Sequence, residues 1–110
     1  MKFSIITVTL NSEKTIRDTL NSVYSQSYKD IEHIIVDGGS NDKTLSILKK
    51  YPNKKKKLFL KKKFGIYKSI NYGIQKSSGE YICILNSDDI FQSNKTIKKL
   101  VDFINKNKNT

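Results

Sequence analysis

Two neighbouring carboxylates, Asp88 and Asp89, stand just past the apolar run Tyr81-Ile82-Cys83-Ile84-Leu85, with no basic residue beside them. Adjacent acids repel each other unless a cation neutralises them, and hard oxygen ligands select magnesium or manganese, which complete their shells with waters and substrate phosphates. The same pair suits a solvated turn that caps a following segment, and spacing alone does not separate the two readings. A second polar cluster, Asp37-Gly38-Gly39-Ser40, closes another apolar run. There Asp37 offers a carboxylate to a base or ribose, the glycines let backbone approach a ligand, and Ser40 can cap a helix. Gly-Gly-Ser by itself is an ordinary strand-to-helix turn. Thr9-Leu10-Asn11 forms a third cluster, at the end of the first apolar run. Neither G-x-x-x-x-G-K nor G-x-G-x-x-G follows any of these runs, which counts against ATPase and hydride-transfer chemistry.

The remaining reactive side chains are read as structural. His33 alternates with Ile31 and Ile35 and has no second histidine to help it bind metal. Cys83 lies within the most apolar run and reads as a small buried hydrophobe. A lone cysteine closes no intrachain disulfide and fits a reducing compartment.

Hydrophobic periodicity supplies the elements that must carry these clusters. Residues 2–9 read as a strand covered on both faces, and Asn11 or Ser12 as the cap of a helix with Ile16, Leu20 and Val23 on its inner side. Residues 31–36 read as a second strand, and the helix begun by Asp42, Leu45 and Leu48 stops at Pro52. Leu58-Phe59-Leu60, flanked by Lys54 to Lys57 and Lys61 to Lys63, reads as an edge strand guarded by like charge. Ile66, Ile70 and Ile74 then recur every fourth residue on a third helix that Gly79 ends. Residues 81–85 read as a central strand buried on both faces, and Asn94 or Ser93 caps a last helix carrying Ile97, Leu100, Val101 and Ile104 before a polar tail over 105–110. Four strand–helix alternations predict an α/β fold with a mainly parallel sheet, whose ligands lie beyond the carboxyl ends of the strands. The three polar clusters then share one rim.

At 110 residues the chain is one domain, residues 1–110, with one modest core. Its formal charge of +11 raises an anionic partner such as nucleic acid, anionic lipid or a phosphorylated ligand, against the favoured plainer reading that Lys, Ile and Asn, 45 of the 110 residues, reflect an A/T-rich coding sequence. Arg17 is the single arginine among 21 basic residues, whereas nucleic-acid readers rely on arginine for bidentate contacts. That bias argues against nucleic acid as the partner. It leaves as rivals a basic nucleic-acid-binding module, recognisable by steep salt dependence, and an inactive truncated remnant. No run approaches the roughly 20 apolar residues of a membrane span.

The stretches Ser4-Ile5-Ile6-Thr7-Val8-Thr9-Leu10-Asn11-Ser12, Tyr28-Lys29-Asp30-Ile31-Glu32, Val36-Asp37-Gly38-Gly39-Ser40-Asn41-Asp42, Gly65-Ile66-Tyr67 with Asn71 and Gly73, and Gly79-Glu80-Tyr81-Ile82 with Asn86-Ser87-Asp88-Asp89 have a collective likeness. From Phe3 to about Phe91, in order and with nearly constant gaps, the chain resembles the family 2 glycosyltransferases. The resemblance implies a GT-A fold, which is Rossmann-like and binds a nucleotide. It further implies inverting transfer of a sugar from a nucleotide-diphosphate donor to an acceptor, in polysaccharide or cell-surface glycan synthesis. By the same resemblance Thr9 and Asn11 lie against the nucleotide, Glu13 near the base or ribose, and Asp37 against uracil or another base. Asp88 and Asp89 fall on the family's DxD-type element, the first touching ribose or sugar and the second holding the Mn2+ or Mg2+ that bridges the diphosphate. Gly38 stands where the family often has a second acid. Lys63 and Lys68 replace acids usual in one branch, which either weakens the site or supplies counter-charges to the diphosphate.

Members of that family normally continue through an acceptor-binding half that supplies the general base. This chain is therefore expected to be the donor-binding half, with the base outside it and Asp102 in a surface ion pair with Lys106. The implied partners are a nucleotide-diphospho-sugar, a glycan or lipid-linked acceptor, and a peripheral membrane surface. The implied location is cytoplasmic, at the inner face of the cell membrane.

Overall fold

The β-branched runs become strands and the amphipathic segments between them become helices. A computed structural model describes residues 1–107 as β1 (Phe3–Thr9), α1 (Ile16–Tyr24), β2 (Ile31–Asp37), α2 (Thr44–Lys50), β3 (Lys56–Leu60), α3 (Ile66–Lys76), β4 (Tyr81–Ile84) and α4 (Thr96–Asn107). All strand pairs are parallel, and the sheet order is β3-β2-β1-β4. Thr9 pairs with Asp37, so the exits of β1 and β2 are level.

Alternation along the strands sorts the core onto two faces. Phe3 and Ile5 of β1 and Ile31 of β2 pack with Val23 of α1 and with Ile97 and Val101 of α4, while Ile35 packs with Ile16, Leu20 and Leu48. Ile6, Ile34 and Val36 point the other way, towards Phe59 and Tyr72. Helix α3 serves that second face, lying over β1 and β2. It can sit close because Gly73 faces the sheet: a Cβ there would come within 2.7 Å of Ile6 Cγ2.

Two expectations about burial are corrected. The fourth strand is at the edge of the sheet, not at its centre, and Ile82 and Ile84 are 44% and 49% exposed. An apolar run has the same composition whether a neighbour covers it or not, and α3 lies over β1 and β2. The inner stripe of α3 runs through Ser69 and Gly73, whereas Ile66 and Ile74 are exposed. Bulky isoleucines at every fourth position could not have allowed the close approach that Gly73 permits. The edge position of β3 is as expected.

Helix starts also differ from the capping expectations. α1 begins at Ile16 after a turn in which the Ser12 carbonyl accepts from Thr15 N (3.1 Å) and Ile16 N (2.9 Å), and no side chain caps it. Before α2, Asp42 Oδ1 accepts from Thr44 N (2.9 Å) and Thr44 Oγ1 (2.6 Å), so Asp42 does the work assigned to Ser40. Ser93 does bracket the start of α4, its Oγ accepting from Lys95 N and its carbonyl from Thr96 Oγ1, both at 2.9 Å. Asp102 pairs with Lys98 (2.6 Å), one turn before it, instead of with the expected Lys106 one turn after it. Residues 105–107 of the expected polar tail belong to α4, and residues 108–110 lie outside the described residues. Among the described residues no helix is long and apolar enough to cross a membrane.

Two buried polar groups brace the sheet away from its carboxyl rim. His33 is fully buried, with Thr7 Oγ1 2.8 Å from Nε2 and the Tyr24 hydroxyl 2.9 Å from Nδ1. Burial, with the Lys56 charge adding to it, lowers its pKa to about 3, so it is a neutral structural histidine, as expected. Burial pushes the Glu32 carboxyl up, but hydrogen bonds from Ser4 Oγ, Ser78 N, Lys57 and Ser78 Oγ outweigh it and hold the pKa at about 2. Cys83 is half-buried, and burial raises its thiol pKa.

Candidate functional site

Strand order runs outward from β1 through β2 to β3, then returns to the other side of β1 for β4. Loops leaving adjacent strands on the two sides of such a reversal diverge and leave a crevice at the carboxyl ends, the usual place for a ligand in an open α/β sheet. Here the segments on the two sides of the reversal are residues 10–15 after β1 and residues 85–89 after β4. Serine and threonine hydroxyls hold its two sides together. Ser12 Oγ donates to Ser87 Oγ (2.9 Å), Thr15 Oγ1 to the Ser87 carbonyl (2.8 Å), and Thr19 Oγ1 to the carbonyls of Ser87 (2.9 Å) and Asp89 (2.6 Å).

The exits of β1 and β2 are stitched in the same way. Asn11 N donates to Ser40 Oγ (2.9 Å), Asn41 N to Asn11 Oδ1 (2.7 Å), Ser12 N to Thr44 Oγ1 (2.7 Å), and Glu13 N to Asp42 Oδ2 (3.3 Å). Asn11 adopts φ 50°, the left-handed conformation that asparagine tolerates better than most residues, and this turns the chain back over the rim. The organising group is Asp37, which is fully buried. Its Oδ1 accepts from Thr9 Oγ1 and Ser40 Oγ, each at 2.6 Å; its Oδ2 accepts from Gly39 N (2.9 Å) and Ser40 N (2.8 Å). Four bonds fill the acceptor capacity of one carboxylate. Asp37 and the equally buried Thr9 therefore hold the turn rather than offering free polar atoms at its surface.

On the α3 side of this rim a cavity of about 250 Å³ is lined by Val8, Thr9, Leu10, Gly38, Phe64, Ile66, Ser69 and Ser87. Residues from the exits of β1, β2 and β4 thus face one space, joined by the start of α3. A Cβ at Gly38 would be in ordinary contact with Phe64 O and Thr9 O (3.7 Å each) and Leu10 Cδ1 (3.9 Å), so the position accepts an alanine without a clash. A second cavity of about 320 Å³ shares Gly38 and is bordered by Ser40, Asn41, Leu60, Lys62 and Lys63.

Asp88 and Asp89 follow Ser87, with Asp89 N donating to the Asn86 carbonyl (3.0 Å). Both are exposed, and neither enters an ion pair among the described residues. Among the described residues no three histidine, cysteine or acidic side chains gather into a ready metal site. Two exposed hard carboxylates on a pinned turn fit a divalent cation that brings the rest of its oxygen shell with it; they do not make a closed protein cage.

The structure thus gathers Thr9, Asn11 and Asp37 into one bonded unit, and ties the loop carrying Asp88 and Asp89 to it through Ser12. Glu13 is exposed beside the Asp42 turn. Sequence reasoning missed Ser69, a polar residue at an inward position of α3. The available signal was its place one turn before Gly73 on the stripe that meets the sheet.

Comparison with known proteins gives a consistent picture. The model of the family described as glycosyl transferase family 2 matches residues 4–110. An uncharacterized glycosyltransferase of Rickettsia typhi is 38% identical over 103 residues, covering 94% of this chain and 32% of that protein. The crystal structure of S. aureus TarS 1-349 in complex with UDP-GlcNAc superposes with a TM-score of 0.88 at 36% identity, covering 96% of this chain and 32% of that one. A mannosyltransferase from Pyrobaculum calidifontis, in complex with GDP-Man and Mn2+, shares the fold with a TM-score of 0.86 at 23% identity, over 94% of this chain and 32% of that one. The chain spans about a third of the length of each of these three.

Proposed function

The chain belongs to glycosyl transferase family 2 and has its Rossmann-like GT-A fold, and on that premise we propose that it is the donor-binding part of an enzyme that moves a sugar from a nucleotide-diphosphate donor to an acceptor hydroxyl, with inversion. The observation that carries the reading is the cavity at Gly38, Ser69 and Ser87, which adjoins a turn bearing two exposed carboxylates without an ion pair among the described residues. TarS, bound to UDP-GlcNAc, supports a nucleotide-sugar donor.

In this reading each rim residue has a physical task. Asp37 and Thr9 fix the turn that places Gly38 and Gly39 against the donor, while Asn11 and Glu13 line its open side at the ribose. Pre-bonded loops of this kind need no reorganisation when the donor arrives, so their ordering cost is met during folding. Asp89, with Asp88 beside it and turned towards ribose or sugar, would hold Mn2+ or Mg2+; that ion supplies positive charge to the departing nucleoside diphosphate. The base that deprotonates the acceptor is assigned to a residue outside these elements, since Asp102 is engaged with Lys98 on α4. The acceptor in this proposal is a glycan or a lipid-linked glycan. The exposed Lys62, Lys63 and Lys68 suit work at the anionic inner face of a cell membrane, in polysaccharide or cell-surface glycan synthesis.

Isothermal titration of uridine and guanosine diphosphates, with and without Mn2+, tests the assignment. Heat with one of them that requires Mn2+ and vanishes in Asp89→Ala is the expected result. Absence of heat with both in the presence of Mn2+ would overturn it.

A further inference from the structure

The positive charge of this chain is segregated. Residues 43–79 carry twelve lysines and no acid, whereas the rest of the chain carries nine basic and ten acidic side chains, which nearly cancel. An A/T-rich coding sequence would raise lysine along the whole chain and does not account for this division. The basic stretch forms α2, β3, α3 and the loops between them, at the β3 side of the sheet. Lysines on β3 itself would suffice to guard that edge. Of the twelve, Lys57 alone enters an ion pair among the described residues, with Glu32 (3.0 Å). Like charges gathered in this way repel each other, and an anionic partner removes that cost.

The loop after β3 and the first turn of α3 combine this charge with apolar groups. Lys62, Lys63 and Lys68 are exposed there, as are Leu60 (46%) and Tyr67 (81%). Lys63 adopts φ 64°, a left-handed conformation that glycine takes freely and lysine does not. A turn alone would be better served by glycine, so a lysine held there points to a use for its charge. The neighbouring rings are occupied. Tyr72 meets Phe59 and Phe64 edge-on (centroids 5.4 and 6.1 Å), while Lys61, Lys68 and Lys76 lie over Tyr72 (4.6 Å), Phe64 (4.4 Å) and Phe59 (5.9 Å). Those rings are not free to stack on bases, which is how single-stranded nucleic acid is gripped.

We infer that the basic end of the domain docks on a bilayer containing anionic lipid, with Lys62, Lys63 and Lys68 at the headgroups and Leu60 and Tyr67 at the boundary with the acyl chains. Basic side chains are drawn to the negative potential of such a surface, and an amphipathic ring settles at its interface. Nucleic acid would match the charge but offers Leu60 no apolar layer. Phe64, in the same loop, lines the cavity of about 250 Å³. Docking by this loop therefore holds the proposed donor rim near the headgroups, where a lipid-linked acceptor would stand. The inference rests on the donor-site reading only for what docking serves; vesicles without nucleotide test the docking by itself.

The experiment is flotation with vesicles of pure phosphatidylcholine and of phosphatidylcholine mixed with phosphatidylglycerol, at physiological ionic strength, beside thermal unfolding of each protein. Wild type should partition onto the mixed vesicles alone. Lys62→Gln with Lys63→Gln should lower that partitioning about 30-fold, at about fivefold for each lysine near such a surface. The same charge change placed outside the basic stretch, Lys99→Gln with Lys106→Gln on α4, should lower it less than about 2-fold. Tyr67→Ala, which leaves the charge unaltered, should lower it about 3- to 10-fold through lost apolar burial. Lys63→Gly should lower it about fivefold while its unfolding midpoint equals or exceeds that of wild type, because glycine releases the left-handed strain. Absence of binding to mixed vesicles, equal binding to both kinds, equal losses for the two lysine pairs, or no loss in Tyr67→Ala overturns the inference while the donor site stands. Tighter binding to a single-stranded oligonucleotide than to mixed vesicles at matched phosphate concentration also overturns it, and would identify nucleic acid as the partner.

Discussion

Asp37→Asn is the substitution whose consequences the structure fixes most closely. The wild-type carboxylate accepts four hydrogen bonds, two from backbone N–H groups of Gly39 and Ser40 and two from the hydroxyls of Thr9 and Ser40. Asparagine keeps one oxygen, and its best orientation leaves that oxygen facing the backbone donors while its NH2 faces hydroxyls that can rotate to accept. Hydrogen bonds to a charged group contribute about 1.5–3 kcal/mol and neutral ones about 0.5–1.5, so each backbone bond weakens by about 1 kcal/mol. Reversal of the two hydroxyl bonds adds roughly 1 kcal/mol in all, for a total of about 3. Asp37→Ala strands both backbone N–H groups and should cost about 4–5 kcal/mol. A domain of this length has only about 5–15 kcal/mol to lose. Urea unfolding followed by far-ultraviolet circular dichroism measures both, and m-values matching wild type would show that the loss is in stability alone. Thr9→Val combined with Asp37→Asn should give a clearly non-additive loss, because the two side chains share a bond. Losses below about 0.5 kcal/mol for both Asp37 variants would refute the argument that this carboxylate holds the rim.

Three further outcomes follow from particular contacts. His33 is neutral when folded, with its pKa lowered to about 3, whereas the unfolded chain protonates it near 6.5; folding stability should therefore fall as pH drops below 6.5, by about 2 kcal/mol between pH 7 and 5. In His33→Gln that portion of the pH profile should be flat, and an unchanged slope would show that another group is responsible. Glu32, lowered to about 2, contributes stability above its unfolded value of 4.5 that is lost as pH falls towards 2, so Glu32→Gln should lose pH dependence in that lower window alone. Gly73→Ala should destabilise by about 1–3 kcal/mol through the 2.7 Å approach to Ile6, despite about 1 kcal/mol of helix propensity gained; a more stable variant in urea would mean that α3 is not seated so closely.

Much of the fold was legible because single residue types reported on it directly. Stretches rich in β-branched residues marked β1 and β2, and lysines on both sides of Leu58-Phe59-Leu60 marked an edge. The convergence of the candidate loops was legible, since polar clusters end three strands of a parallel sheet. What remained hidden depended on arrangement. Tyr81 to Ile84 is equally apolar beside one neighbour or two, so the open flank of β4 left no trace in its composition. The isoleucines of α3 repeat every four residues, but so do Ser69 and Gly73 on the neighbouring stripe, and it is the small pair that meets the sheet, because only a residue without a Cβ allows the close approach at Gly73. Asp37 could reach a ligand or close its own turn with the same carboxylate. Only the placement of Thr9 opposite it and of Ser40 three residues on decides for the turn. Strand order, which creates the crevice, is likewise absent from any local pattern, because four strand–helix units can be wound in more than one order.

The central claim is that the rim above β1, β2 and β4 binds a nucleoside diphosphate together with a divalent cation. Backbone 15N–1H spectra recorded with uridine or guanosine diphosphate and substoichiometric Mn2+ test it most directly, since the paramagnetic ion broadens the amides nearest to it. The account predicts broadening centred on Asp88 and Asp89 that needs the nucleotide, accompanied by shifts at Leu10, Gly38 and Ser69. Broadening elsewhere on the chain with those three amides unmoved would contradict it.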